Sequence, residues 1–213
     1  SLGSAAVYES AQAEYQGMAF DSSNNRVVVA YKDDGNSSHG TAAVGTVSGT
    51  GITWGTPVVF EAASTSYVAA TFDSSNNKIV IAYSDVGNSE HGTAIVGTVS
   101  GTSISFGSPA VFESAATTRI DATFDSNSNK VVITYRDDGN SSYGTAVVGT
   151  VSGTSISFGT PVVFNSGSTV NSSPAFDSSN NKVVVAYKDQ GNSQYGTAIV
   201  GTVSGTSISF GSE

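Results

Sequence analysis

A 52-residue pattern is written four times in this chain of 213 residues. Phe-Asp followed by a Ser/Asn-rich turn recurs at Phe20, Phe72, Phe124 and Phe176, and Gly-Thr-Val-Ser-Gly-Thr opens at Gly45, Gly97, Gly149 and Gly201. Repetition at such a period means that one supersecondary unit, too small to bury its own faces, is copied until neighbours cover one another. Within a repeat, residues 67–72 and 78–83 are two β-rich runs joined by Asp, Ser and Asn, which reads as a hairpin. A polar loop at 84–91 leads to a third run at 92–100. Gly101-Thr102 then turns the chain into a fourth run at 103–112, broken by Gly107-Ser-Pro109 in a way that suits an edge or a bulge. These four runs, A to D, predict a four-stranded antiparallel meander.

Run B does not alternate. Residues 27–30 and 183–186 are apolar on both faces, so each sheet must be covered on both sides. Small sheets stacked face to face and arranged radially meet that demand, and the expected fold is an all-β propeller of four-stranded blades. Blades are expected at about 14–60, 66–112, 118–164 and 170–213, with residues 1–9 completing the last, because 5–9 match 109–113. Four blades in a closed ring, four blades of a larger propeller and a window from a longer array all fit the repeat count.

Composition narrows function by exclusion. A formal charge of −9 with only 8 Lys plus Arg lacks the basic footprint that phosphate backbones require, so nucleic acid is not expected as a partner. There is no cysteine for a disulfide framework or a thiolate metal site. No apolar run approaches the roughly 20 residues needed to span a bilayer as a helix, so no membrane insertion is expected. The Ser/Thr/Asn-rich, Cys-free composition suggests an extracellular, surface or virion-associated setting.

The loops at Asp33, Asp85, Asp137 and Asp189, together with residues 52–60, resemble the Asp-box repeats of sialidase-type propellers. That pattern runs Ser-x-Asp-x-Gly-x-Thr-Trp into a Pro-Val strand. Here Tyr31, Tyr83, Tyr135 and Tyr187 stand where it has Ser, and the Trp or Phe comes a strand later. The unit is also similar to the highly repetitive propeller repeats of marine bacteria and their phages. A sialidase likeness would imply a triad of arginines on a carboxylate. Only Arg26, Arg119 and Arg136 are present, and the predicted meander puts Arg26 at the opposite end of the sheet from the other two.

Comparing the copies with one another locates the candidate site. They differ at the start of run A (12–18, 64–70, 116–122 and 168–174) and in the B-to-C loop, and hardly at all in the A-to-B and C-to-D turns. In a meander the two variable regions share one rim. The expected binding residues are Tyr15, Tyr67, Arg119, Asp121 and Asn171 near the axis, with Arg136, His39, His91, Tyr143 and Tyr195 around them. The expected function is a non-enzymatic recognition or adhesion module for a glycan or cell-surface receptor, with a structural spacer of a fibre or surface layer as the alternative. A glycoside-acting enzyme is the third reading, for which Asp121 with Glu14 or Glu90 is the one suggestive set of carboxyls. No catalytic residue, metal site or cofactor is expected; calcium at the Asp33, Asp85, Asp137 and Asp189 loops would need more oxygen ligands than each loop offers. Near-identical neighbouring repeats also invite homo-oligomers or exchanged blades.

Overall fold

The computed structural model describes residues 3–211, so residues 1–2 and 212–213 of the expected first and last segments lie outside the described residues. Among the described residues the regular structure is antiparallel β, apart from single 3-10 turns at Asp34–Asn36 and Val86–Asn88. The first sheet comprises β1 (Ala13–Asp21), β2 (Arg26–Asp33), β3 (His39–Ser48), β4 (Gly51–Trp54) and the start of β5 (Val58–Asp73). The end of β5 opens the second sheet with β6 (Lys78–Asp85), β7 (His91–Ser100), β8 (Ser103–Phe106) and the start of β9 (Ala110–Asp125). The third holds the end of β9 with β10 (Lys130–Asp137), β11 (Tyr143–Ser152), β12 (Ser155–Phe158) and the start of β13 (Val162–Asp177). The fourth holds the end of β13 with β14 (Lys182–Asp189), β15 (Tyr195–Ser204) and β16 (Ser207–Phe210).

The interruption foreseen in run D is present: residues 55–57 separate β4 from β5 while both pair with β3. The separate connection expected between run D and the next run A is absent. Instead β5, β9 and β13 each run 16 residues without a break and belong to two sheets. Their middles (61–66 and equivalents) are rich in Ala, Ser and Thr, and even across Ser166-Gly167 the backbone stays extended and carries the chain from one layer to the next.

Burial follows the repeat. Val28, Ala30, Ala42 and Val44 of the first sheet pack on Ile79, Ile81, Tyr83 and Ile95 of the second, and the next two interfaces reuse the same columns. Run B is apolar on both faces because both faces are internal. The A-to-B turns agree between copies because a carboxylate organises each: Asp21 Oδ1 accepts from the amides of Ser23 (2.9 Å) and Asn24 (3.0 Å), while Asn25 takes the left-handed conformation. Gly49 and its equivalents do the same for the C-to-D turns at positive φ. These turns tolerate few alternatives.

The ring is not closed. The ladder runs from β1 to β16 and does not return to β1, so the sheet is open between its first and last strands. Residues 5–9, expected to complete the last sheet, lie against the first. Tyr8 packs on Tyr31 and Trp54 at centroid distances of 5.1 and 5.5 Å, and the Tyr31 hydroxyl donates to Glu9 Oε2 at 3.2 Å. The physical reason is local: these residues imitate 57–61, which cover the second sheet in the same way, and the surface they need is in place on their own first sheet.

Candidate functional site

Each first strand of a sheet carries the same irregularity near its start. In β1 two residues, Tyr15 and Gln16, stand opposite one between the pairs Glu14↔Lys32 and Gly17↔Ala30; the register shifts equivalently at 66/69, 134/136 and 170/173. This is a β-bulge, and its first residue sits in the left-handed region: Tyr15 (φ 52°), Tyr67 (50°), Arg119 (54°) and Asn171 (55°). Holding a non-glycine residue there costs on the order of 1–3 kcal/mol. The bulges re-aim four side chains into a shared groove of about 440 Å³.

The groove thus gathers the five axial residues expected from the sequence, Tyr15, Tyr67, Arg119, Asp121 and Asn171. The Tyr15 and Tyr67 rings meet at 4.9 Å with a 49° tilt. The Arg119 guanidinium lies 5.4 Å from the Tyr67 ring centre, and Lys32 Nζ lies 5.9 Å from that of Tyr15. Cation, ring, ring, cation form one ladder across three sheets, each contact of the kind that gains from the negative face of the aromatic system. Lys32 is itself held at 3.0 Å from Asp34 and 3.1 Å from Glu14, and the hydrogen bond to Asp34 leads in raising its pKa. At Gly17 a Cβ would press into the backbone of Ala69 and Ala70, so glycine lets β1 approach β5 at the groove wall.

Asp121 occupies that same column on the third sheet. Burial pushes its carboxyl up, against the lowering effect of the Ala122 amide (2.8 Å) and the Ser173 hydroxyl (2.9 Å), both of which donate to it. No other carboxyl lines the groove among the described residues. Glu14 is engaged by Lys32, and Glu90 is exposed on the outer loop, so neither joins Asp121 there.

The outer set is not brought into the groove. His39, His91, Tyr143 and Tyr195 open β3, β7, β11 and β15 in register with Asp33, Asp85, Asp137 and Asp189. Arg136 is held by Asp138 (2.7 Å) and Ser142 (2.8 Å). Arg26 donates to the Gly101 carbonyl at 2.9 Å on the far end, so the three arginines do not converge. The four loop aspartates accept from their own turns, at Asn36, Asn88, Asn140 and Gly191. Among the described residues no three His, Cys, Asp or Glu side chains gather as metal ligands. No helix of the described residues is long and apolar enough to cross a membrane.

Sequence reasoning missed one buried network. Tyr83 and Tyr135 are fully buried and donate to Glu61 (3.0 Å) and Glu113 (3.2 Å), as Tyr31 does to Glu9. Burial, then the neighbouring carboxylate, pushes each phenol well above the usual tyrosine range. The signal was available as a Glu recurring 22 residues before a Tyr in three copies; the fourth has Asn165.

An all-β, face-packed array of antiparallel sheets with one axial groove is the class that fold and site define. No protein-family model and no curated protein sequence matches the chain. Among solved structures it is similar to an exo-β-1,3-galactanase from Phanerochaete chrysosporium, determined with β-1,3-galactotriose, with a TM-score of 0.60 and 9% identity over 93% of this chain. The match takes in 49% of that structure, so this chain spans about half its length. At this identity the likeness concerns the fold. The expectation of a non-enzymatic recognition module is corrected by it, because the scaffold matched is that of a glycan-cleaving enzyme and gives no ground for expecting a module without activity.

Proposed function

We propose that the four sheets are propeller blades and that their axial groove takes a glycan and cleaves it, with Asp121 as the proton donor. The observation that carries this reading is a carboxyl raised by burial beside an aromatic and cationic ladder in one cleft. A volume of about 440 Å³ suits a short stretch of oligosaccharide. The tyrosine faces give a platform for the apolar face of a pyranose, and Arg119 and Asn171 offer donors to its hydroxyls. A carboxyl raised by burial holds its proton more tightly than a free aspartate and can pass it to the glycosidic oxygen as the bond to the anomeric carbon breaks. The resulting Asp121 carboxylate then faces the cationic sugar, and water adds to the anomeric carbon and returns a proton.

The test is incubation with a panel of oligosaccharides, β-1,3-linked galacto-oligosaccharides included, with products resolved by chromatography. Cleavage that Asp121→Asn abolishes, with binding retained by calorimetry, is the expected result. No release from any member of the panel, or release untouched by Asp121→Asn, would overturn the assignment.

A further inference from the structure

The two ends of the array are bare in complementary ways. Val44, Val96 and Val148 occupy one column and are 1%, 0% and 1% exposed, each covered by the following sheet; Val200, the fourth member, is 48% exposed. Ala186 and Ala198 lie open with it and Val184 is half-buried, where Val28, Ala30 and Ala42 are sealed. At the other end Met18, Phe20 and Val47 are 59%, 55% and 54% exposed. Their counterparts Ala70, Phe72 and Val99 pack into the interface between the first and second sheets. One end therefore presents the surface that each internal sheet offers to its successor, and the other presents the surface each offers to its predecessor.

We propose that these ends dock on each other between two copies of this chain. The fourth sheet of one copy covers the first sheet of the second, reciprocally, and the pair closes into one ring. The internal interfaces supply the template: the second copy's Phe20 goes against the surface of Val184 and Val200 as Phe72 packs into the cluster that holds Val28 and Val44. The segment that would form the edge is also in place. Residues 5–12 hold on their own first sheet the position that 57–64 hold on the second, with Asp34 N donating to Gln12 O at 3.0 Å. What residues 5–9 lack is a pairing partner, and what β15 lacks is the neighbour that β3, β7 and β11 find in β5, β9 and β13. The glycines agree: rings of Phe60, Phe112 and Phe164 crowd Gly40, Gly92 and Gly144, while around Gly196 there is open space for the second copy's Tyr8. The chain's own first sheet does not fill this role, since both faces remain exposed with the chain in its own fold. With the ring closed in the proposed pair no end is left exposed, and association goes no further.

The test is mass by light scattering across a concentration series, a reading independent of any glycan. The wild type is expected at twice the chain mass. Val200→Lys and Phe20→Asp alter residues already exposed in the single chain. Each should leave folding by circular dichroism unchanged and weaken association about 30-fold or more, because each buries a charge at the interface. Mixing the two variants should restore the pair, since one wild-type contact and one oppositely charged contact are then formed. A single-chain mass at every concentration overturns the proposal, as does a double mass that Val200→Lys leaves intact.

Discussion

Tyr83→Phe removes one oxygen and almost no volume, and so isolates the buried Tyr–Glu bond from packing. The Tyr83 ring is fully buried against Phe60, at a centroid distance of 5.2 Å, and phenylalanine keeps that contact. What disappears is the hydroxyl's bond to Glu61 Oε2 at 3.0 Å; the other carboxylate oxygen keeps the Ala63 amide at 3.1 Å. A hydrogen bond to a charged group nets about 1.5–3 kcal/mol. Glu61 is only half-buried, so water can partly replace the lost donor and the lower part of that range applies, about 1.5–2 kcal/mol. For a chain of this length each kcal/mol moves the midpoint by about 2–4 °C, which gives a fall of roughly 3–8 °C. Calorimetry at pH 7, with urea unfolding as a second probe, measures it, and Tyr143→Phe on the outer loop is the control expected near zero. A Tyr83→Phe midpoint indistinguishable from the control would refute the reasoning, because the carboxylate would then have no need of the phenol.

Burial, then the charge of Glu61, raises the carboxyl of Asp85, and Asp137 stands in the same relation to Glu113. A raised folded value means that the folded chain binds protons more tightly than the unfolded one; these groups therefore lower stability as pH climbs from the unfolded value near 3.8 to the folded one. Glu61→Gln should flatten that decline, read as urea midpoints from pH 4 to pH 7, and an unchanged slope would count against the coupling. Asp21 runs the other way: burial raises it, but the hydrogen bonds from Ser23 and Asn24 outweigh that and lower it, so its contribution is lost on acidification. Gly92→Ala puts a methyl group into the Phe112 ring and is expected to cost about 1–3 kcal/mol. Gly196→Ala, measured at dilution on single chains, meets nothing and should be silent; equal costs at the two positions would show that the last sheet is covered within its own chain.

Much of the candidate site was legible because the chain serves as its own comparison. Four copies under the same geometric demands agree wherever a turn has one solution, as at Asp21 and Gly49, and differ at Tyr15, Tyr67, Arg119 and Asn171, whose side chains leave the lattice of repeats. The bulge that aims those side chains was not legible. Nothing about Tyr or Arg announces a left-handed backbone, and the conformation is imposed by pairing with the next strand. The unbroken β5, β9 and β13 were missed for a related reason: Ala, Ser and Thr suit a loop or a strand, and only neighbouring layers decide between them.

Residue pattern alone determined the strand order within a repeat, its turns, the need for cover on both faces and the end of the sheets where variety collects, because each follows from local conformational preference and a period of 52 residues. Tertiary structure alone decided that the sheet stays open, that residues 5–9 lie against the first sheet, and that Asp121 is brought into the shared groove, where burial raises its carboxyl. Identical repeats carry identical local instructions. Which surfaces end up covered depends on how far each layer turns from the last, a property of packed sheets and not of any one residue.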